Sequence, residues 1–70
     1  DKEAFRILVE RYQQRAFAIA LDILKSRQDA EDIVQEGFVK AFLSIQNFKG
    51  ESSFYTWLYR IIFNMSIDLK

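Results

Sequence analysis

Between Asn47 and Asn64 the chain reads N-F-K-G-E-S-S-F-Y-T-W-L-Y-R-I-I-F-N, and it gathers Phe48, Phe54, Tyr55, Trp57, Tyr59 and Phe63 among Lys49, Thr56, Arg60 and Asn64. Flat π-faces beside cationic and amide groups are the chemistry on which unstacked bases lie, because stacking needs a ring and phosphates need donors. The competing use of the same rings is core packing, which a short chain needs as well. Which rings share a helix face decides between the two. A second candidate surface is Glu31, Asp32, Gln35 and Glu36, four polar side chains within six positions.

Acid–base or nucleophilic chemistry has little to work with. The sequence has no histidine and no cysteine, so a thiolate or imidazole metal site and a disulfide framework are excluded. Carboxylates, hydroxyls and amines remain, with no glycine-rich phosphate loop beside them, and no catalytic residue, metal or cofactor is expected. Seventy residues, half of them hydrophobic, make one small domain near the lower limit for a single core. Apolar runs are far short of the ~20 residues that span a bilayer, so an intracellular, cytoplasmic setting without a membrane is the expectation.

The formal net charge is zero, which argues against a self-sufficient duplex-DNA binder. The charge is nevertheless polarised. Residues 28–39 hold Asp29, Glu31, Asp32 and Glu36 without a lysine or arginine, while residues 40–70 hold Lys40, Lys49, Arg60 and Lys70 against Glu51 and Asp68. A basic partner for the middle and a nucleic acid for the end are compatible with that layout.

The elements that must position these groups are helices. Proline is absent, and glycine occurs only at Gly37 and Gly50. Phe5, Leu8, Val9, Tyr12, Ala16, Ile19, Ala20, Ile23 and Leu24 follow three-and-four spacing and predict a helix over about 3–25, with Arg6, Glu10, Arg11 and Arg15 facing water. Ser26 with Asp29 three residues on is a capping-box-like start, with Asp29 an alternative cap, for a helix over about 30–45. Its core stripe is Ala30, Val34, Gly37, Phe38, Ala41 and Ile45, and Gly37 is expected to allow close approach of a neighbouring helix.

The other side of this helix pairs the acidic patch with Val39, Phe42 and Leu43, which a solvated face would not carry. Either it packs on both sides, or the patch docks a basic partner helix. Gly50 marks a turn, with Ser52 or Ser53 capping a third helix over about 53–69. Its stripe is Phe54, Leu58, Ile61, Ile62, Met65 and Leu69, leaving Trp57, Arg60 and Asn64 on one flank and Tyr55, Tyr59 and Phe63 on the other. The expected fold is an all-α, compact three-helix bundle with a functional loop between helices two and three.

The segments D-A-E-D-I-V-Q-E-G-F (Asp29 to Phe38) and F-K-G-E-S-S-F-Y-T-W-L-Y-R-I (Phe48 to Ile61), with Asn64, resemble conserved region 2 of bacterial sigma factors of the extracytoplasmic-function type. The resemblance covers essentially the whole chain and implies a subunit that directs RNA polymerase to promoters. It implies that Glu31, Asp32, Gln35 and Glu36, with Phe38 and Phe42 at the edge, dock on the clamp helices of the largest polymerase subunit. It also implies that the loop and third helix read and open the minus-ten element on the non-template strand. Phe48, Lys49, Gly50, Glu51, Ser53 and Phe54 would wall a pocket for a flipped base, with Asn64 beside it, and Trp57, Tyr59 and Arg60 would serve strand separation and backbone contact. Proteins of this group are often held inactive by anti-sigma factors on the same faces.

Physical chemistry agrees independently: extruding a base costs a few kcal/mol, which a pocket returns through aromatic contact and base-edge hydrogen bonds. Helix three carries only Arg60 and Lys70 as cations, and no second DNA-reading domain is present, so residues 1–70 are expected to be one domain of a longer chain. A helical protein-interaction module without nucleic-acid binding is the rival reading. A helix-turn-helix duplex reader fits less well, because the loop before helix three is long and that helix is aromatic rather than basic on its outward face.

Overall fold

The computed structural model describes residues 2–70 as helix α1 (Lys2–Leu24), helix α2 (Arg27–Leu43), a short 3-10 turn (Ile45–Asn47) and helix α3 (Glu51–Leu69). All three helices pack on one another, which makes the all-α three-helix bundle expected from the periodicity. No helix among the described residues is long and apolar enough to cross a membrane.

The core is made by fitting large side chains onto small ones. Phe54, Leu58 and Ile62, spaced four apart on α3, are sealed from water, while α1 contributes Ala16 and Ala20 and α2 contributes Ala30, Gly37 and Ala41. Each large side chain removed from water is worth about 1.5–3 kcal/mol, so α3 supplies much of the apolar stabilisation. The small residues let the helix axes approach. Gly37 is the tightest case, since a Cβ there would lie 2.5 Å from Ile62 Cδ1.

The observed stripes differ from the predicted ones in detail. On α2, Ile33 is buried and Val34 only half-buried, while Ile45 lies in the 3-10 turn. On α3 the fourth position of the buried row is Ser66, whereas Ile61 and Met65 are half-buried and Leu69 is exposed. The Ser66 hydroxyl has no hydrogen-bond partner. The row therefore follows a strict four-residue step rather than bending toward the more apolar neighbours.

The connections obey local rules. Lys25 closes α1 in the left-handed region at φ 59°, its N–H donating to the Leu21 carbonyl at 2.8 Å. Ser26 caps α2 by accepting the Asp29 N–H on its hydroxyl, so α2 starts three residues earlier than predicted. Helix α3 begins at Glu51 with Gly50 as its cap and no side-chain capping bond, so neither Ser52 nor Ser53 plays the expected part. Gly50 takes φ 158° and ψ 179°, a region that residues with a Cβ avoid; the demand is on backbone torsion, for a Cβ there would meet nothing within 4 Å.

Arg11 and Arg15 are not the purely solvated face that spacing implies. Arg11 Nη1 donates to both carboxylate oxygens of Glu51, at 2.8 and 2.7 Å, and the Tyr12 hydroxyl also donates to Glu51. Arg15 Nη1 donates to the Tyr55 hydroxyl at 3.2 Å. These bonds tie the middle of α1 to the first two turns of α3. The Tyr12 hydroxyl, then Arg11, hold the Glu51 carboxyl below its ordinary value of 4.5. A depressed carboxyl stabilises the fold above that ordinary value and loses its contribution as pH falls through the folded value.

Two outcomes are expected. Gly37→Ala lowers stability by about 1–2 kcal/mol, because Ile62 is too enclosed to rotate freely. Combined with Ile62→Val, which deletes Cδ1, it costs much less than the two single changes added together; a double-mutant cycle by urea denaturation measures the coupling. Thermal midpoints should also fall as pH drops from about 6 to 3, and Glu51→Gln should make that decline shallower, with little change above pH 6.

Candidate functional site

Two hollows meet the surface, and their chemistry differs. The smaller, of about 510 Å³, lies where the 3-10 turn and loop face the first half of α3, lined by Ser44, Asn47, Phe48, Ser52, Ser53, Thr56, Trp57 and Arg60. Its volume is within the roughly 300–1,000 Å³ of pockets that hold small molecules. Side chains at 52, 53, 56, 57 and 60 share one face of α3 by the three-and-four rule, which is why one helix supplies most of the wall.

Phe48 is the piece that shapes it. The chain leaves the 3-10 turn extended at Phe48, whose N–H donates to the Ile45 carbonyl at 3.3 Å. This places the ring 5.4 Å from the Phe54 ring, edge-on, and 5.5 Å from Trp57, tilted at 60°. Such pairs are worth about 0.5–1.5 kcal/mol beyond their buried area. Phe48 and Trp57 are both half-buried, packed on the core below and open to the hollow above. Around them stand three hydroxyls from α3, one from Ser44, the Asn47 amide and the Arg60 guanidinium. A π-surface rimmed by neutral donors and acceptors with one cation can take a flat, polar-edged ring attached to an anion.

Of the residues singled out in sequence, this hollow brings together Phe48, Ser53, Trp57 and Arg60. The others fall elsewhere. Phe54 is 1% exposed and supports Phe48 from within. Lys49 and Gly50 are exposed in the loop but not on the wall, and the Glu51 carboxylate turns to Arg11 and Tyr12 on α1. Tyr59 also faces α1, its ring edge-on to Tyr12 at 6.3 Å and to Tyr55 at 4.4 Å, with its hydroxyl buried and unpartnered. Burial raises the Tyr59 phenol above its ordinary range. Asn64 is exposed about one turn beyond Arg60. Sequence reasoning missed Ser44, Asn47 and Ser52 as lining residues and named Thr56 only among the polar groups of its stretch. The only signal was their position within three or four residues of Phe48 or Trp57.

The larger hollow is an open groove of about 970 Å³ between α1 and α2. Phe5, Val9, Phe17, Val34, Phe38, Val39 and Phe42 make its apolar floor, with Glu31 and Gln35 among the polar residues of its rim. Its exposed lining is mainly apolar, whereas the smaller hollow mixes polar and apolar surface about equally. Phe38 is buried and meets Phe5 edge-on at 6.3 Å, while Phe42 is 41% exposed and meets the same ring at 5.0 Å. Val39 and Leu43 are 55% and 79% exposed, so α2 is not packed on both sides. Asp32 and Glu36 are exposed outside the groove. The Gln28 amide donates to Asp32 at 3.2 Å, and Glu31 pairs loosely with Arg27 at 3.6 Å. The acidic patch is thus solvated, weakly compensated and bordered by uncovered apolar side chains.

Comparison with known proteins follows from this geometry. Residues 8–70 match the family described as Sigma-70 region 2. The chain is 55% identical over 64 residues to the ECF RNA polymerase sigma-E factor of Haemophilus influenzae, covering 91% of this chain and 33% of that protein. With the same coverage it is 45% identical to the RNA polymerase sigma-H factor of Pseudomonas aeruginosa and to the ECF RNA polymerase sigma-E factor of Escherichia coli K12. It therefore spans about a third of the length of these curated relatives. No solved structure matches it. With the match running through α2, the loop and the whole of α3, the chain belongs to the Sigma-70 region 2 family.

Proposed function

We propose that this chain acts in transcription initiation, with α2 docking on the clamp helices of the largest subunit of RNA polymerase core. The pocket between loop and α3 then captures a base flipped out of the non-template strand of the minus-ten promoter element. The observation that carries this reading is the Phe48–Trp57 ring pair, open to solvent and ringed by hydroxyls, an amide and Arg60. Family membership and the names of the relatives, sigma factors of RNA polymerase, support it.

The energetics are consistent. Flipping a base costs a few kcal/mol, and stacking one on an aromatic side chain returns about 1–3 kcal/mol. The hydroxyls of Ser52, Ser53 and Thr56 and the Asn47 amide offer donors and acceptors to a base edge, while Arg60 offers a cation to its phosphate. Lys49, on the exposed loop, adds positive charge at the approach, and exposed Asn64, about one turn beyond Arg60, offers an amide beside the base.

Glu31, Asp32, Gln35 and Glu36 give α2 an acidic face, with Phe42 and its neighbours as the apolar border a partner helix covers. A chain of zero net charge releases few counterions from DNA and binds it weakly alone, so docking on polymerase in the cytoplasm supplies the missing positive field. An anti-sigma factor covering both faces would block both steps. The exposed Val39, Phe42 and Leu43 also fit a protein-interaction module without nucleic acid, which the same experiments exclude or establish.

Asp32→Lys and Glu36→Lys should each weaken binding to the isolated clamp helices at least about tenfold, from charge reversal at a close pair. Helical circular dichroism should stay unchanged, since both side chains are exposed; unchanged affinity would sink the docking half. A fluorescent minus-ten strand added with polymerase core should quench Trp57, the single tryptophan. Trp57→Ala should lose about tenfold or more in affinity, from the stacking energy above. Asn64→Ala, which leaves the core untouched, should weaken capture while preserving stability. A silent Trp57 signal would favour the interaction module.

A further inference from the structure

We propose that Arg15 on α1 and the Tyr55 hydroxyl on α3 form a contact for a phosphodiester of the separated strand, a second anchor beyond the base pocket. The inference rests on the pocket reading above and extends the nucleic-acid surface onto the first helix.

Of the five arginines, Arg15 and Arg60 are the two without a carboxylate partner among the described residues. Arg6 is paired with Glu3 and Glu10, Arg11 with Glu51, Lys25 with Asp22 and Arg27 with Glu31. Among the described residues Arg15 has no carboxylate within pairing distance; its recorded hydrogen-bond partner is the neutral Tyr55 hydroxyl at 3.2 Å. Arg15 is exposed, and a guanidinium has five N–H donors, of which this bond uses one. The Tyr55 oxygen accepts from Arg15 and keeps its own proton to donate. A guanidinium fork beside a hydroxyl donor is suited to two oxygens of a phosphate.

The bland role, a strut between α1 and α3, is already filled one turn away by Arg11 and Tyr12 on Glu51. An arginine on a phenol adds less to that tie than an arginine on a carboxylate. The cluster also holds the buried Tyr59 hydroxyl, which makes no hydrogen bond of normal geometry but lies near enough to feel the Arg15 guanidinium. Its ring packs on Tyr55 at 4.4 Å and on Tyr12 at 6.3 Å, and Tyr12 meets Tyr55 at 5.4 Å. These contacts fix the Tyr55 ring, so the hydroxyl is held in place before any strand arrives.

Position links the anchor to the pocket. Thr56 and Ser52 line the hollow, and Tyr55 immediately precedes Thr56, about 100° round the same helix. A helix with side chains is about 10–12 Å across, so a strand leaving Trp57 and Arg60 and crossing the first turns of α3 reaches Arg15 within a few nucleotides. Arg60 and Arg15 then stand on opposite sides of α3, one at each edge of that path.

The test is a salt series. Binding of a fluorescent minus-ten single strand to this chain with polymerase core is titrated by anisotropy over several salt concentrations. Arg15→Gln should reduce the steepness of log affinity against log salt by about 0.7, one phosphate's worth for single strands, without changing the preference among strand sequences. Arg15→Lys should keep the slope, and Tyr55→Phe should weaken binding with the slope kept, because a donor is lost but no charge. Lys25→Gln, remote and paired with Asp22, should match the unmodified chain. A slope for Arg15→Gln equal to that of the unmodified chain overturns the anchor while leaving the pocket standing. Failure of the unmodified chain to bind the strand overturns the pocket reading itself.

Discussion

The row Phe54, Leu58 and Ile62, seated on the alanines and glycine of the other two helices, is the constraint from which the rest follows. Packing of this kind needs complementary sizes where the helices meet, because interiors tolerate neither voids nor overlap. It draws α3 close enough for Gly37 to meet Ile62 and fixes the rotation of α3 about its own axis. Once that rotation is set, every other side chain of α3 has an assigned direction. Positions 55 and 59 face α1, positions 53, 57 and 60 face the loop, and 63, 64 and 67 face water.

The division of labour among the aromatics has the same origin. Phe54 lies on the buried row and is sealed, and Phe48 leans on it from outside. Trp57, nearly one turn on, is tilted clear of the row and completes the open ring pair. The tyrosines gather on the opposite flank, where Arg15 and the Arg11–Glu51 pair meet them. A chain of zero net charge thereby presents separate surfaces: an acidic one with an apolar border on α2, and an aromatic one with cations at its edges around α3.

Much of this was legible in sequence, for reasons of local physics. Helix number and order follow from uninterrupted three-and-four spacing, Ser26 from its spacing to Asp29, and Gly37 from the oddity of glycine in a helix. What was not legible depends on partners distant in the chain. Nothing local says that Glu51 turns to an arginine forty residues earlier, that Tyr59 joins Tyr12, or that Ser66 is buried in place of Leu69. Periodicity ranks apolar residues by type, whereas the bundle ranks them by the direction in which the neighbouring helices lie. The pocket wall was half visible: rings and cation announce themselves, but Ser44, Asn47 and Ser52 matter only through where the turn carries them.

Phe48 touches the sealed interior through Phe54 and the open hollow through Trp57, and this double attachment has a mechanical result. At Phe48 the loop is tied to the bundle. Any excursion that lifts Phe48 away wets the edge of Phe54, so remodelling of the hollow draws directly on the cohesion of the bundle. Replacing this ring would therefore disturb the packing of Phe54 and the shape of the hollow together.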